Sequence, residues 1–195
     1  MTKKSLVFAT GNVHKLDEVN QKLGNTDYLA VAMKDLGVTE DIPETGKSMQ
    51  ENALQKATYL KEKLGIDCFA EDSGLEIKAL KMAPGIYTAR YAGPHRDNND
   101  NMDKVLSELH GIEDRSAQFR AVIALTINGE SHFFEGIVKG KIAQEKMGAG
   151  GFGYDPIFIP EGFEESFAIL PETVKQDISH RSIAVDKMIT YLESI

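Results

Sequence analysis

Cysteine is nearly missing from this chain, tryptophan is missing altogether, and no apolar run approaches the ~20 residues that a membrane-crossing helix needs. The lone Cys68 excludes an intrachain disulfide and any zinc site built from cysteines. Positive charge is also scarce, with 22 Lys and Arg against 30 Asp and Glu and a formal charge of −8. That balance argues against a general binder of nucleic acid or of an anionic membrane, because both depend on basic patches that displace counterions. A small anionic ligand stays compatible with it, since a local cluster of cations or a bound metal reverses the field around one site. The stretch MTKKSLVFATGN has neither the apolar segment nor the cleavage site of a signal peptide, so a soluble, cytoplasmic protein is expected.

What is present fits one folded domain, residues 1–195, with room for two lobes: 42% of residues are apolar and 27% charged, an ordinary globular balance. SLVFA (Ser5 to Ala9) reads as a strand that ends at the turn signal TGN, and Leu16, Val19 and Leu23 then recur on one helical face. Ser48 and Glu51 have capping-box spacing before a stripe of Met49, Ala53, Ala57, Leu60 and Leu64, and Gly65 closes that helix. DCFAEDSGLEI reads as a buried strand broken by its acids, with Gly74 as the turning point. Met102, Val105, Leu106 and Leu109 form another helical face ending near Gly111. Phe119, Ala121, Ile123, Leu125 and Ile127 alternate onto one strand face, and Asn128-Gly129 then signals a tight hairpin. A final helix is expected from about Ser179, with Val185, Met188, Ile189 and Leu192 as its apolar face. The interleaving predicts an α/β fold with a mixed β-sheet and flanking helices.

Three segments carry candidate chemistry. ATGNVHK (Ala9 to Lys15) passes from strand through turn into helix, which presents backbone N–H groups and the positive end of the dipole to an anion, with Lys15 one turn in. Thr10 or Asn12 merely capping the helix explains the same pattern. GAGGFG (Gly148 to Gly153) satisfies the dinucleotide spacing, but the proline-bounded YDPIFIP follows it where a helix would be required. What survives is a glycine loop delivering Phe152, Tyr154 and Asp155, suited to stacking on a flat base and bonding to its edge or ribose, or else a plain turn with a core aromatic. Glu44, Glu71 and Asp72 supply hard oxygen ligands of the kind Mg²⁺ accepts, one or two at a time, although solvated turn acids look the same in sequence.

Taken in order, ATGNVHKLDEV, ETGKSMQENALQKA, AEDSGLEIKAL, APGIYTARYAG, GGFGYDPIF and KQDISHR span nearly the whole chain, and together they resemble the inosine/xanthosine triphosphate pyrophosphatase family. The resemblance implies two lobes around a central nucleotide-binding cleft, a homodimer, and Mg²⁺-dependent hydrolysis of a non-standard purine nucleoside triphosphate (ITP, dITP or XTP) to its monophosphate and pyrophosphate, which would clear it from the nucleotide pool. By the same resemblance Thr10, Gly11, Asn12, Val13, His14 and Lys15 match the phosphate-binding loop, and Glu44 and Asp72 match the metal-linked carboxylates, with Asp72 also the general base. Lys56 and Ser73 match further substrate contacts. Phe152, Gly153, Tyr154 and Asp155 match the nucleoside loop, and Lys175, His180 and Arg181 the last substrate-binding stretch. The chain departs from the family pattern at Ile169, where an acid is common, at Met82, where glycine is usual, at Thr88, where serine is frequent, and in ETVKQ before Lys175. A nucleotide-binding regulator without chemistry and a phosphohydrolase releasing orthophosphate are the competing classes.

Overall fold

Period-two apolar runs and helical stripes alternate along the chain, and the computed structural model, which describes residues 3–195, turns them into twelve strands and α-helices joined by short turns. Met1 and Thr2, which begin the amino-terminal stretch read above, lie outside the described residues. The strands are β1 (Lys4–Phe8), β2 (Tyr28–Ala32), β3 (Cys68–Ile77), β4 (Ala83–Pro84), β5 (Ser116–Ile127), β6 (Glu130–Ile142) and β7 (Phe158–Pro160). The helices are α1 (Val13–Lys22), α2 (Met49–Leu64), α3 (Asn98–Glu108), α4 (Glu172–Ile178) and α5 (His180–Leu192). The sheet is mixed: its order is β2-β1-β3-β5-β6-β7 with β4 on β3, β1 running parallel to β2 and β3, and β4 and β7 antiparallel to their neighbours.

The chain divides into two compact units. The first comprises the chain up to Asp72, Ala121–Gly136 and His180–Ile195; the second comprises Ser73–Arg120 and Ile137–Ser179. In the first unit, strand alternation sends side chains to two separate apolar layers. Leu6 and Phe8 of β1, Phe69 of β3 and Ala121, Ile123, Leu125 and Ile127 of β5 pack with Val19 of α1 and Val185 and Met188 of α5. Val7, Cys68, Ala70 and Ala124 pack on the other side with Ala53, Ala57 and Leu60 of α2. Phe8 and Phe69, paired in register, stack with ring centroids 4.4 Å apart. Each such fully buried Phe or Leu contributes roughly 1.5–3 kcal/mol.

The helix signals read from sequence appear where local chemistry put them. Ser48 accepts from the Glu51 N–H, while the Glu51 carboxylate reaches the N–H of Lys47, one residue earlier than a reciprocal capping box would place it. Gly65 ends α2 in the left-handed region at φ 69°. Asn128 and Gly129, at φ 52° and 84°, make the two-residue turn between β5 and β6.

In the second unit Leu75, Ile77, Ala117, Phe119, Val138 and Ile142 from the sheet pack with Met102 and Val105 of α3, with Leu109 just after it, and with Phe158 and Phe167. Phe119 therefore belongs to this core, whereas the rest of its expected stripe lies in the other. One expectation needs correction, and one element was not anticipated. The strand through AEDSGLEI does not break at its acids, and Gly74 is not a turn: β3 is continuous over ten residues. The carboxyl-terminal helix is preceded by a separate short helix, α4, and Ser179 is the residue between the two.

Candidate active site

An unbroken β3 fixes where its acids go, because neighbouring residues of a strand point to opposite faces. Glu71 follows Phe69 to the layer of α1 and α5, and Asp72 follows Ala70 to the layer of α2. Each carboxylate is buried, and each meets cations there.

On the α2 side, Asn52 donates from Nδ2 to Asp72 at 3.1 Å and accepts the Gly46 N–H at 2.8 Å. Lys56, one helical turn on, lies 2.6 Å from Glu44 and 3.6 Å from Asp72. The two acids thus share one ammonium. Burial raises the Asp72 pKa above the ordinary aspartate value, and nearby Glu44 raises it further, against the lowering by Lys56, Lys15 and the Asn52 hydrogen bond. A paired carboxylate of this kind is a better proton acceptor than an exposed aspartate.

On the other side, Arg181 grips Glu71 with two parallel bonds, Nε at 2.6 Å and Nη2 at 2.8 Å, and its Nη1 donates to Glu18. Lys15, in the first turn of α1, is 3.2 Å from Glu71 and keeps 19% of its side chain exposed. Burial alone would raise the Glu71 pKa, but Arg181 and Lys15 outweigh it and hold the carboxyl well below its usual range. Burial lowers the Lys15 pKa, with Arg181 and Lys56 adding to the effect and Glu71 opposing it. Gly136 in β6 is what lets α5 begin close by, since a Cβ there would sit 2.0 Å from the His180 carbonyl oxygen.

The loop entering α1 is organised by Asn12, whose side chain accepts the N–H groups of His14 at 3.0 Å and Lys15 at 3.4 Å. The Asn12 N–H in turn donates to Thr10 Oγ1. The capping role weighed in the sequence is therefore real, and the N–H groups of His14 and Lys15 are not open donors here. Gly11, Asn12 and Val13 are exposed, and Thr10 is half-buried.

The second unit holds the glycine loop. Asp155 accepts the Phe152 N–H at 2.8 Å and the Lys175 ammonium at 2.7 Å, and that ammonium lies 4.6 Å from the centre of the Phe152 ring. Tyr154 is 3% exposed and donates its hydroxyl to the Thr88 carbonyl, so its ring is not a stacking surface and Phe152 is the loop's half-exposed aromatic. Gly153 takes φ 63° between them. Ser73 lies in β3, half-buried.

The structure thus brings Glu44, Lys56 and Asp72 into one cluster, Lys15 and Arg181 into a second, and Phe152, Asp155 and Lys175 into a third. Asn52 carried no assigned role in the sequence reading, and Glu71, read there with Glu44 and Asp72 as a hard oxygen ligand, is instead held by Arg181 and Lys15 on the opposite face of β3. Asn52 had a visible signal, being four residues before Lys56 on the same helix face. The pairing of Glu71 with Arg181 had none, because the two are 110 positions apart.

This geometry has relatives. The Ham1 family profile matches residues 6–191. The chain belongs to the Ham1 family. It is 46% identical over 189 residues to the dITP/XTP pyrophosphatase of Flavobacterium psychrophilum, covering 97% of this chain and 99% of that one. It is 42% identical over 194 residues to the dITP/XTP pyrophosphatase of Bacillus subtilis, covering 98% of each. Among solved structures, a HAM1 protein from Coxiella burnetii superposes with TM-score 0.90 at 36% identity over the whole of both chains. The Staphylococcus aureus Ham1 protein gives TM-score 0.89 at 38% identity, covering 98% of this chain and 99% of that one. The α/β architecture with a mixed sheet is therefore the Ham1 fold, as the ordered sequence motifs anticipated.

Proposed function

We propose that this Ham1 protein hydrolyses non-standard purine nucleoside triphosphates, dITP and XTP foremost and ITP with them, to the monophosphate and pyrophosphate. The observation that carries the reading is Asp72: a buried carboxylate raised toward basicity, oriented by Asn52, and set beside Lys56 and Glu44. Full-length identity to proteins named dITP/XTP pyrophosphatases supplies the substrate class.

In this reading Asp72 takes the proton from the water that attacks the α-phosphorus, at the face of β3 where Asn52 fixes its second oxygen. Lys56, and Lys15 from its own cluster, offset the charge that develops on the leaving pyrophosphate. The loop from Thr10 to Lys15, with Gly11, Asn12, Val13 and His14, contacts the phosphates, with Asn12 holding its shape. In the second unit Phe152 offers a ring to the base, Asp155 and Lys175 fix the loop, and Gly153, Tyr154 and Ser73 complete the contacts that the family resemblance assigns. The resemblance adds His180 and Arg181 of the first unit to the set, and the guanidinium of Arg181 reaches the site through Glu71, which it holds together with Glu18.

The residues fit a divalent cation. Glu44 and Asp72 are hard oxygen donors that share the Lys56 ammonium, and burial, with Glu44 adding to it, raises the proton affinity of Asp72 against the lowering by Lys56. Among the described residues no group of three or more acids, histidines or cysteines converges, so water and substrate phosphates would complete the shell, as is usual for Mg²⁺. When bound there, Mg²⁺ lowers the pKa of attacking water and neutralises phosphate charge. We further infer action in the cytoplasm as a homodimer, which light scattering of the purified protein tests; among the described residues no helix is long and apolar enough to cross a membrane.

The test is Asp72→Asn. The account expects pyrophosphate release from dITP to fall by at least about 100-fold, the scale of a lost general base, with an unchanged circular dichroism spectrum. Near-normal turnover by the folded variant would remove Asp72 from the chemistry.

A further inference from the structure

Glu71 has no task in the reaction as proposed, yet it is among the most completely enclosed ionised groups of the first unit. Its neighbour Asp72 points to α2, so strand alternation alone places Glu71 against α1 and α5. There it meets two cations in different circumstances. Arg181 is 2% exposed, and all three of its guanidinium nitrogens are engaged by acids, Nε and Nη2 by Glu71 and Nη1 by Glu18. Lys15 keeps part of its side chain exposed while its ammonium rests 3.2 Å from Glu71. Of the two cations, Arg181 is enclosed in protein and Lys15 reaches solvent.

We propose that Glu71 is a positioning residue for Lys15, and that the Arg181 side chain acts through Glu71, clamping it with the help of Glu18. The inference rests on the reading of Lys15 as a phosphate contact. Its physical basis is the difference between the two cations. A planar, forked guanidinium holds a carboxylate in one orientation, whereas a lysine ammonium on a four-carbon stem is held only as a point charge and loses much rotamer freedom when it is fixed. A carboxylate already oriented by Arg181 therefore fixes Lys15 before any substrate arrives. Charge supports the same arrangement: Glu71 is the largest favourable charge acting on Lys15, against burial, Arg181 and Lys56. The Glu71 carboxylate thus opposes the burial that lowers the Lys15 pKa. The four groups together, Glu18, Arg181, Glu71 and Lys15, carry no net charge, which lets them be buried as a set.

An ion pair that merely ties β3 to α5 would show the same distances, so the test must separate positioning from stability. It is a double-mutant cycle of Glu71→Gln and Lys15→Met, read as kcat/KM for dITP and, in parallel, as melting temperature. Glu71→Gln alone is expected to cost at least about 10-fold and Lys15→Met at least about 100-fold, with the double variant within about 3-fold of Lys15→Met, because Glu71 has nothing left to position. If the two losses multiply, Lys15 keeps its phosphate role and the positioning of Lys15 by Glu71 is overturned. If Lys15→Met stays within about 2-fold of the wild type, the phosphate reading of Lys15 fails and the inference falls with it. Should Glu71→Gln not fold, Glu71→Asp, which keeps the charge but withdraws it from Lys15, goes through the same cycle with the same criteria.

Discussion

Glu71 and Asp72 differ by one methylene and one position, yet Arg181 and Lys15 hold one carboxyl well below its ordinary range while burial and Glu44 raise the other. The divergence comes from the pleat of β3, which gives each acid a different helix to face. Two residues before Asp72 on the same face, Ala70 continues the apolar layer, and Cys68 lies beyond it. The Cys68 thiol is fully enclosed and donates to the Ala57 carbonyl at 3.3 Å; burial, reinforced by Asp67, pushes its pKa to about 11 from 9.0. Below pH 9 the thiol is neutral in the folded and unfolded chains alike. Between pH 9 and 11 the unfolded chain releases a proton that the native one retains, so stability falls as pH rises, by roughly 1.4 kcal/mol per pH unit. Urea unfolding at pH 8 and pH 10 of the wild type and of Cys68→Ala is expected to show the larger pH-dependent loss in the wild type. Equal losses would mean the thiol is not held neutral.

Elements with local signals were legible, and elements made by distant partners were not. The β5–β6 hairpin and the cap of α2 were readable because Asn128-Gly129 and Ser48 carry their own instructions. The break expected in β3 was wrong because the residues that make its acids tolerable, Arg181, Lys15, Lys56 and Asn52, lie on three helices outside the stretch. α4 escaped notice because it is seven residues long, has no side-chain cap at Pro171 and no apolar stripe. Tyr154 read as a stacking ring because nothing nearby in sequence announces its bond to Thr88. Met82 is a different case. The family pattern has glycine there, and Met82 adopts φ 67° with its side chain 45% exposed. An L-residue in this region costs about 1–2 kcal/mol, and an exposed methionine returns little of it by packing. After the extra chain entropy of glycine, Met82→Gly is expected to stabilise the protein by about 0.5–1 kcal/mol in chemical denaturation. A loss of stability would show that the Met82 side chain has a packing role.

At the scale of the molecule, the sequence suggested one domain with two lobes and offered no linker, and the chain sorts into two compact units. The reason is visible in where three of the four divisions fall: between Asp72 and Ser73, Arg120 and Ala121, and Gly136 and Ile137, inside β3, β5 and β6, while the fourth, between Ser179 and His180, separates α4 from α5. A boundary placed within a buried strand leaves no Gly, Pro or Ser-rich tract to read. The ordered motifs nevertheless carried the fold, and all but APGIYTARYAG contribute residues to clusters that each lie within one unit: carboxylates around Lys56, cations around Glu71, and the loop around Asp155. The central claim is that these clusters serve pyrophosphate release from purine triphosphates lacking the usual amino pattern. The most direct test is product analysis of the purified protein with Mg²⁺ and ITP, XTP, ATP or GTP, scoring pyrophosphate and orthophosphate separately. The account predicts pyrophosphate from ITP and XTP and little of either product from ATP or GTP; orthophosphate as the main product, or equal turnover of all four, would contradict it.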